Sequence, residues 1–176
     1  LLETFLLVTI NHQSLIATKT HRIVQEAKGR PVMEFGARRA QGYDGATYGA
    51  RAAYIGGAAG TATVSAGKAF GIPVLGTMAH SFVQSFDTEY DAFKAYAEIY
   101  PDSCILLVDT YDTLKSGIPN AIRVAEEVLQ PMGKTLAGIR IDSGDIAYLT
   151  KKARMMLDVA GLTNTKISIS NSLDEY

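Results

Sequence analysis

Tryptophan is absent from this 176-residue chain, cysteine occurs once, as Cys104, and proline only five times. A single cysteine cannot close an internal disulfide, so no covalent staple of that kind holds the fold. The thiol opens the apolar run Cys104-Ile105-Leu106-Leu107-Val108 and reads as a small core hydrophobe in a reduced, cytoplasmic setting. No apolar run approaches the roughly 20 residues that span a bilayer, and no signal-peptide pattern opens the chain. An excess of one charge is lacking too: 17 Lys and Arg stand against 18 Asp and Glu, a net charge of −1. That balance excludes the basic field of a nucleic-acid binder. The nearest basic cluster, Lys151, Lys152 and Arg154, reads as the solvated face of a helix. No Pro/Gly/Ser-rich linker interrupts residues 1–176, so a single domain without internal boundary is expected. The chain starts at Leu1 and stops at Tyr176 just after a strand-like run, as a segment of a longer protein would.

What is present is a rhythm of short apolar runs alternating with amphipathic stretches, in a chain that is 47% hydrophobic. Strands are expected over 32–35, 73–76, 104–108, 136–141 and 166–170. Helices are expected over 1–28, 45–55, 61–70, 87–99 with Asp87 as N-cap, 119–131 and 145–159. Apolar strands separated by helices point to an α/β fold with a parallel sheet. With about five βα units, against the roughly 250 residues of a complete (β/α)₈ barrel, the expectation is an incomplete TIM-like barrel.

In such folds chemistry collects at the carboxyl ends of the strands. Here those ends read Glu34-Phe35-Gly36-Ala37-Arg38-Arg39, Gly76-Thr77-Met78-Ala79-His80-Ser81, Val108-Asp109-Thr110-Tyr111-Asp112, Arg140-Ile141-Asp142-Ser143-Gly144-Asp145 and Ser168-Ile169-Ser170-Asn171-Ser172. Each carries charged or hydroxyl groups, which a purely structural domain does not need.

Arg38 and Arg39 suit an anionic ligand, since a guanidinium grips phosphate oxygens with two donors; ion pairs with Glu34 or Asp44 are the plainer reading. The Gly-rich stretch 56–63 is either a phosphate-facing turn before a helix or a turn trimmed for close packing. His80 can serve as base, acid or nucleophile, and Asp109, ending the next strand, can hold its imidazole by one nitrogen and leave the other exposed. His12 and His21, on the first helix, have no such setting. Arg140 and Asp142 suit a carboxylate or phosphate and ribose hydroxyls, with Mg²⁺ on Asp142 or Asp145 as a further option, while Asp145 also suits the cap of the next helix.

Taken in order, Glu34-Phe35-Gly36-Ala37-Arg38-Arg39-Ala40-Gln41, Gly76-Thr77-Met78-Ala79-His80-Ser81, Val108-Asp109-Thr110-Tyr111-Asp112 and Gly138-Ile139-Arg140-Ile141-Asp142-Ser143-Gly144-Asp145 resemble the nicotinate phosphoribosyltransferases, over nearly the whole chain. The resemblance implies a type II phosphoribosyltransferase barrel, usually dimeric. It also implies an enzyme that joins nicotinate to 5-phosphoribosyl 1-pyrophosphate, with ATP hydrolysis and Mg²⁺, in NAD biosynthesis and salvage. By the same resemblance His80 is the residue phosphorylated by ATP and Asp109 its orienting partner. Thr77 and Arg140 bind nicotinate, Arg140 through its carboxylate; Arg38 lies near pyridine and phosphates, and Asp142 near the ribosyl group. At Ala62 related enzymes can carry a polar residue, so no substrate contact is expected there. The family's chains are much longer, and this segment is expected to be inactive alone. Alternative readings are a nicotinamide phosphoribosyltransferase and an inactive homologue that binds a nucleotide or serves dimerisation.

Overall fold

The computed structural model describes residues 1–171 and 173–176; Ser172, one of the strand-end residues named above, lies outside them. The fold is α/β, with all strand pairs parallel. Two compact units divide it, Leu1–Gly76 with Asp174–Tyr176, and Thr77–Leu173.

The first unit opens with α1 (Leu2–Glu26), which carries no fully buried residue. β1 (Met33–Glu34) then leads through a 3₁₀ turn, Ala37–Arg39, into α2 (Gly42–Ile55). β2 (Gly60–Thr61) pairs with β1 in register Met33–Gly60 and Glu34–Thr61, and α3 (Val64–Phe70) follows. β2 sits inside the stretch expected to be only a turn. Gly60 explains the placement: a Cβ there would come within 2.5 Å of the Pro73 carbonyl oxygen, so only glycine lets the two chains approach. The strand expected over 73–76 shrinks to a single bridge, Val74 to Thr61.

In the second unit a short helix α4 (His80–Val83) precedes α5 (Glu89–Ile99). The cap of α5 is Thr88 and not Asp87: the Thr88 hydroxyl accepts from the Asp91 N–H at 3.1 Å and donates to the Asp91 carboxylate at 2.6 Å. Phe93 and Ala97 on its inner face are fully buried, and burying a side chain of the size of Phe93 contributes about 1.5–3 kcal/mol. β3 (Ile105–Leu107), β4 (Gly138–Ile141) and β5 (Lys166–Ile169) form a parallel sheet in the order β3-β4-β5. Leu106, Leu107, Val108, Ile139 and Ile141 are excluded from solvent, as expected of parallel strands covered by helices.

Between β3 and β4 the chain runs through α6 (Ile118–Val124), flanked by wide π turns over Thr113–Gly117 and Ala125–Leu129. Asp112 accepts from the N–H groups of Leu114 and Lys115 at 3.1 and 2.9 Å and so starts the run. Gly117 lies against Val108, where a Cβ would run into the carbonyl oxygen. α7 (Ile146–Val159) is capped by Asp145, whose side chain accepts from Tyr148 N–H at 3.0 Å. Arg154, expected on a solvated face, instead donates to the carbonyls of Thr165 and Leu162 at 2.6 and 2.7 Å and ties α7 to the approach of β5. Among the described residues no helix is long and apolar enough to cross a membrane.

A candidate active site at the strand ends

The carboxyl ends of β3, β4 and β5 and the segment Thr77–His80 meet in one hydrogen-bonded cluster within the second unit. Its hub is Asp109, just past β3, whose side chain is only 2% exposed. One carboxylate oxygen, Oδ1, stands 3.3 Å from His80 Nε2. The other, Oδ2, accepts from the Asp142 backbone N–H at 2.9 Å and from the Ser143 hydroxyl at 2.6 Å. His80 is the first residue of α4 rather than a loop residue, and its ring is 38% exposed, so the imidazole is anchored on one side and open on another. Nε2 faces the carboxylate, so a ring whose proton sits on Nε2 presents Nδ1 as its unprotonated nitrogen.

Arg140 and Asp142 lie two residues apart along the β4 segment and so share one face. Arg140 Nη2 donates to Asp142 Oδ1 at 3.0 Å, and both side chains are largely buried. Ser170, after β5, accepts from Arg140 Nε at 2.7 Å and donates to Asp142 Oδ1 at 2.5 Å. Arg140 Nη1 donates to the Thr77 hydroxyl at 2.8 Å and to the Met78 carbonyl at 3.4 Å. Burial pushes the pKa of Asp142 up, but the hydrogen bonds from Ser170 and Arg140 and the charge of Arg140 outweigh it. The group is held below the usual carboxylate range.

The structure thus brings together five of the six residues singled out from the sequence, Thr77, His80, Asp109, Arg140 and Asp142. The sixth, Arg38, lies in the 3₁₀ turn of the first unit. Neither Arg38 nor Arg39 forms an ion pair with Glu34 or Asp44 among the described residues. Glu34 instead accepts from the Thr61 hydroxyl at 2.5 Å, from Thr63 at 3.5 Å and from the Gly36 N–H. Ser143 and Ser170, not singled out, prove to be connecting hydroxyls. His12 bonds the Gly45 carbonyl at 3.2 Å and His21 bonds Gln25 at 3.0 Å, away from any cluster of this kind.

Among the described residues no three His, Cys, Asp or Glu side chains converge as metal ligands do. Asp142 Oδ1 is already taken by Arg140 and Ser170, and Asp145 by the cap of α7. Among the described residues these side chains alone do not make a protein cage for Mg²⁺.

What the cluster offers chemically is an exposed imidazole with a buried carboxylate behind it, next to a guanidinium held in one orientation. The family model for the nicotinate phosphoribosyltransferase (NAPRTase) family matches residues 31–169. The nicotinate phosphoribosyltransferase of Bacillus subtilis (strain 168) is 56% identical over 176 residues, all of this chain and 35% of that protein. The Mycobacterium tuberculosis (strain ATCC 25618 / H37Rv) nicotinate phosphoribosyltransferase pncB2 is 49% identical over 175 residues, 99% of this chain and 37% of its own length. The crystal structure of human nicotinic acid phosphoribosyltransferase superposes with a TM-score of 0.82 at 32% identity, over 99% of this chain and 45% of that one. The chain therefore spans little more than a third of the length of these curated relatives. It belongs to the nicotinate phosphoribosyltransferase family.

Proposed function

We propose that this segment supplies the phosphohistidine and nicotinate-recognition elements of a nicotinate phosphoribosyltransferase. The reaction joins nicotinate to 5-phosphoribosyl 1-pyrophosphate, giving nicotinate mononucleotide and pyrophosphate with ATP consumed. The observation that carries the proposal is the His80–Asp109 contact beside Arg140 at the ends of adjacent parallel strands.

In this reading Asp109 keeps the His80 proton on Nε2, and Nδ1 attacks the γ-phosphorus of ATP while ADP leaves with the bond electrons. The phosphoryl group later passes to water as inorganic phosphate, returning His80 to the neutral imidazole. Arg140, oriented by Asp142, Ser170 and Thr77, lies ready to meet the nicotinate carboxylate, with Thr77 beside it. Asp142, ionised at neutral pH, suits the ribosyl group as its centre becomes cation-like. The role of Arg38 rests on its motif alone. Mg²⁺ belongs to this reading as an ion carried in on the substrate phosphates, where it lessens the charge the protein must meet.

The incomplete TIM-like barrel belongs to the same proposal and is supported by the parallel strands and their helical crossovers. A homodimer and a cytoplasmic setting complete it. The test uses the full-length protein that contains this segment. Labelled ATP should leave acid-labile phosphate on His80 in the wild type and none in His80→Ala; label retained by the variant sinks the assignment.

A further inference from the structure

Ser143 has no part in the chemistry just described, yet its hydroxyl makes one of the two hydrogen bonds that fix the buried end of Asp109. We propose that Ser143 is a positioning residue for the His80–Asp109 pair, setting the carboxylate so that it meets the imidazole through Oδ1 alone. The proposal rests on the functional reading above and extends it to a residue that touches neither His80 nor the substrates that reading names.

The terminal torsion of an aspartate is broad, so a carboxylate is not locked by its own rotamer. Asp109 is fixed by what binds it. Oδ2 takes the Asp142 N–H at 2.9 Å and the Ser143 hydroxyl at 2.6 Å, and Oδ1 is thereby turned to His80 Nε2 at 3.3 Å. The backbone N–H is one anchor, about which the group can still turn. The hydroxyl is the second anchor and removes that freedom. Ser143 is itself delivered by a rigid corner. It follows β4, and Gly144 after it takes the left-handed conformation at φ +82°. Asp145 then caps α7. A side chain at Gly144 would be strained by that φ and would meet Leu149 Cδ1 at 2.9 Å, so the corner depends on glycine.

Ser143 is exposed, so removing its hydroxyl opens no cavity in the core and leaves Asp109 its backbone partner. Ser143→Ala is therefore expected to fold. In the full-length protein it should lower kcat about tenfold while the KM values for nicotinate and 5-phosphoribosyl 1-pyrophosphate stay within about twofold, as loss of a support to a charged group does. Ser143→Thr, which keeps the hydroxyl, should restore kcat.

A second measurement does not depend on phosphorylation. With histidine-selective ¹⁵N labelling, wild-type His80 should show the tautomer protonated on Nε2, and Ser143→Ala should show a mixture of the two tautomers. An unchanged tautomer and kcat in Ser143→Ala, or a Ser143→Thr variant as impaired as Ser143→Ala, overturns the proposal. If wild-type His80 takes no label from ATP, the functional reading falls, and the tautomer measurement alone decides whether Ser143 positions the pair.

Discussion

His80 and Asp109 are 29 residues apart in sequence, and their side chains meet at 3.3 Å with the carboxylate almost wholly buried. Replacing Asp109 by Asn keeps the shape but changes which group donates. The amide oxygen is drawn to the Asp142 N–H and the Ser143 hydroxyl, which leaves the NH₂ to donate toward His80 Nε2. The ring proton is then driven to Nδ1, the nitrogen that attacks phosphorus in the proposed reaction. Asp109→Asn should reduce turnover of the full-length protein by roughly 10–100-fold or more, with labelled phosphate on His80 falling in parallel. Full labelling in Asp109→Asn would show that tautomer control is not its role.

Arg140 gives a test of substrate choice. In the proposed function its replacement by Ala removes a charge-assisted hydrogen bond to the carboxylate worth about 1.5–3 kcal/mol, so nicotinate should lose roughly 10–100-fold in affinity. A neutral amide analogue should lose much less. Equal losses, measured by calorimetry on the full-length protein, would assign Arg140 to phosphate. Asp142 is also left without its cation in this variant, so its thermal stability should be compared with the wild type at the same time.

Acid should loosen the same corner. The pKa of Asp142 is lower in the folded protein than in the unfolded chain. Its stabilising contribution is therefore fully present above the unfolded carboxylate value, about 3.9, and is lost as pH falls through the lower folded value. Asp142→Asn should flatten the fall in stability below about pH 4, followed by urea unfolding across the acid range. A variant with the wild-type acid profile would remove Asp142 from that accounting.

Cys104 makes the opposite prediction in alkali. Burial raises its thiol pKa to about 12, so the native protein keeps the proton where the unfolded chain, near about 8.5, releases it. Stability should decline as pH rises above that unfolded value. The folded protein should also resist alkylation in mild alkali, yet react once denatured. Rapid labelling of the native protein would mean that this strand start opens readily.

The position least tolerant of a side chain is Gly117. A methyl group there has nowhere to go, because the Val108 carbonyl is backbone and cannot swing aside. Gly117→Ala should cost about 3 kcal/mol or more by chemical denaturation. It should also impair labelling of His80, since the displaced Val108 is the residue before Asp109.

Much of this site is legible from the sequence because each principal residue stands where an apolar run gives way to polar chemistry. Asp109 follows the apolar run that ends at Val108, and Arg140 and Asp142 alternate with Ile139 and Ile141. The strand period of two is enough to put that pair on one face. Ser143 and Ser170 escape that reasoning, since a serine beside glycine or asparagine carries the same pattern as an ordinary turn. Only the pairing of β4 with β5 and the corner after β4 reveal what they hold. β2 escapes for another reason. Two residues are too few for a period, and the strand is set by the close approach that Gly60 permits. The π turns around α6 are likewise invisible to side-chain spacing. The Gly117–Val108 contact places a tight constraint at the first of them.

Ser170 closes the ring of contacts between Arg140 and Asp142, and it comes after every other member of the cluster along the chain. Synthesis therefore delivers His80, Asp109, Arg140 and Asp142 before the hydroxyl that locks the guanidinium to the carboxylate. Until β5 leaves the ribosome and pairs with β4, a nascent chain lacks that lock, and the full ordering of Arg140 waits on β5.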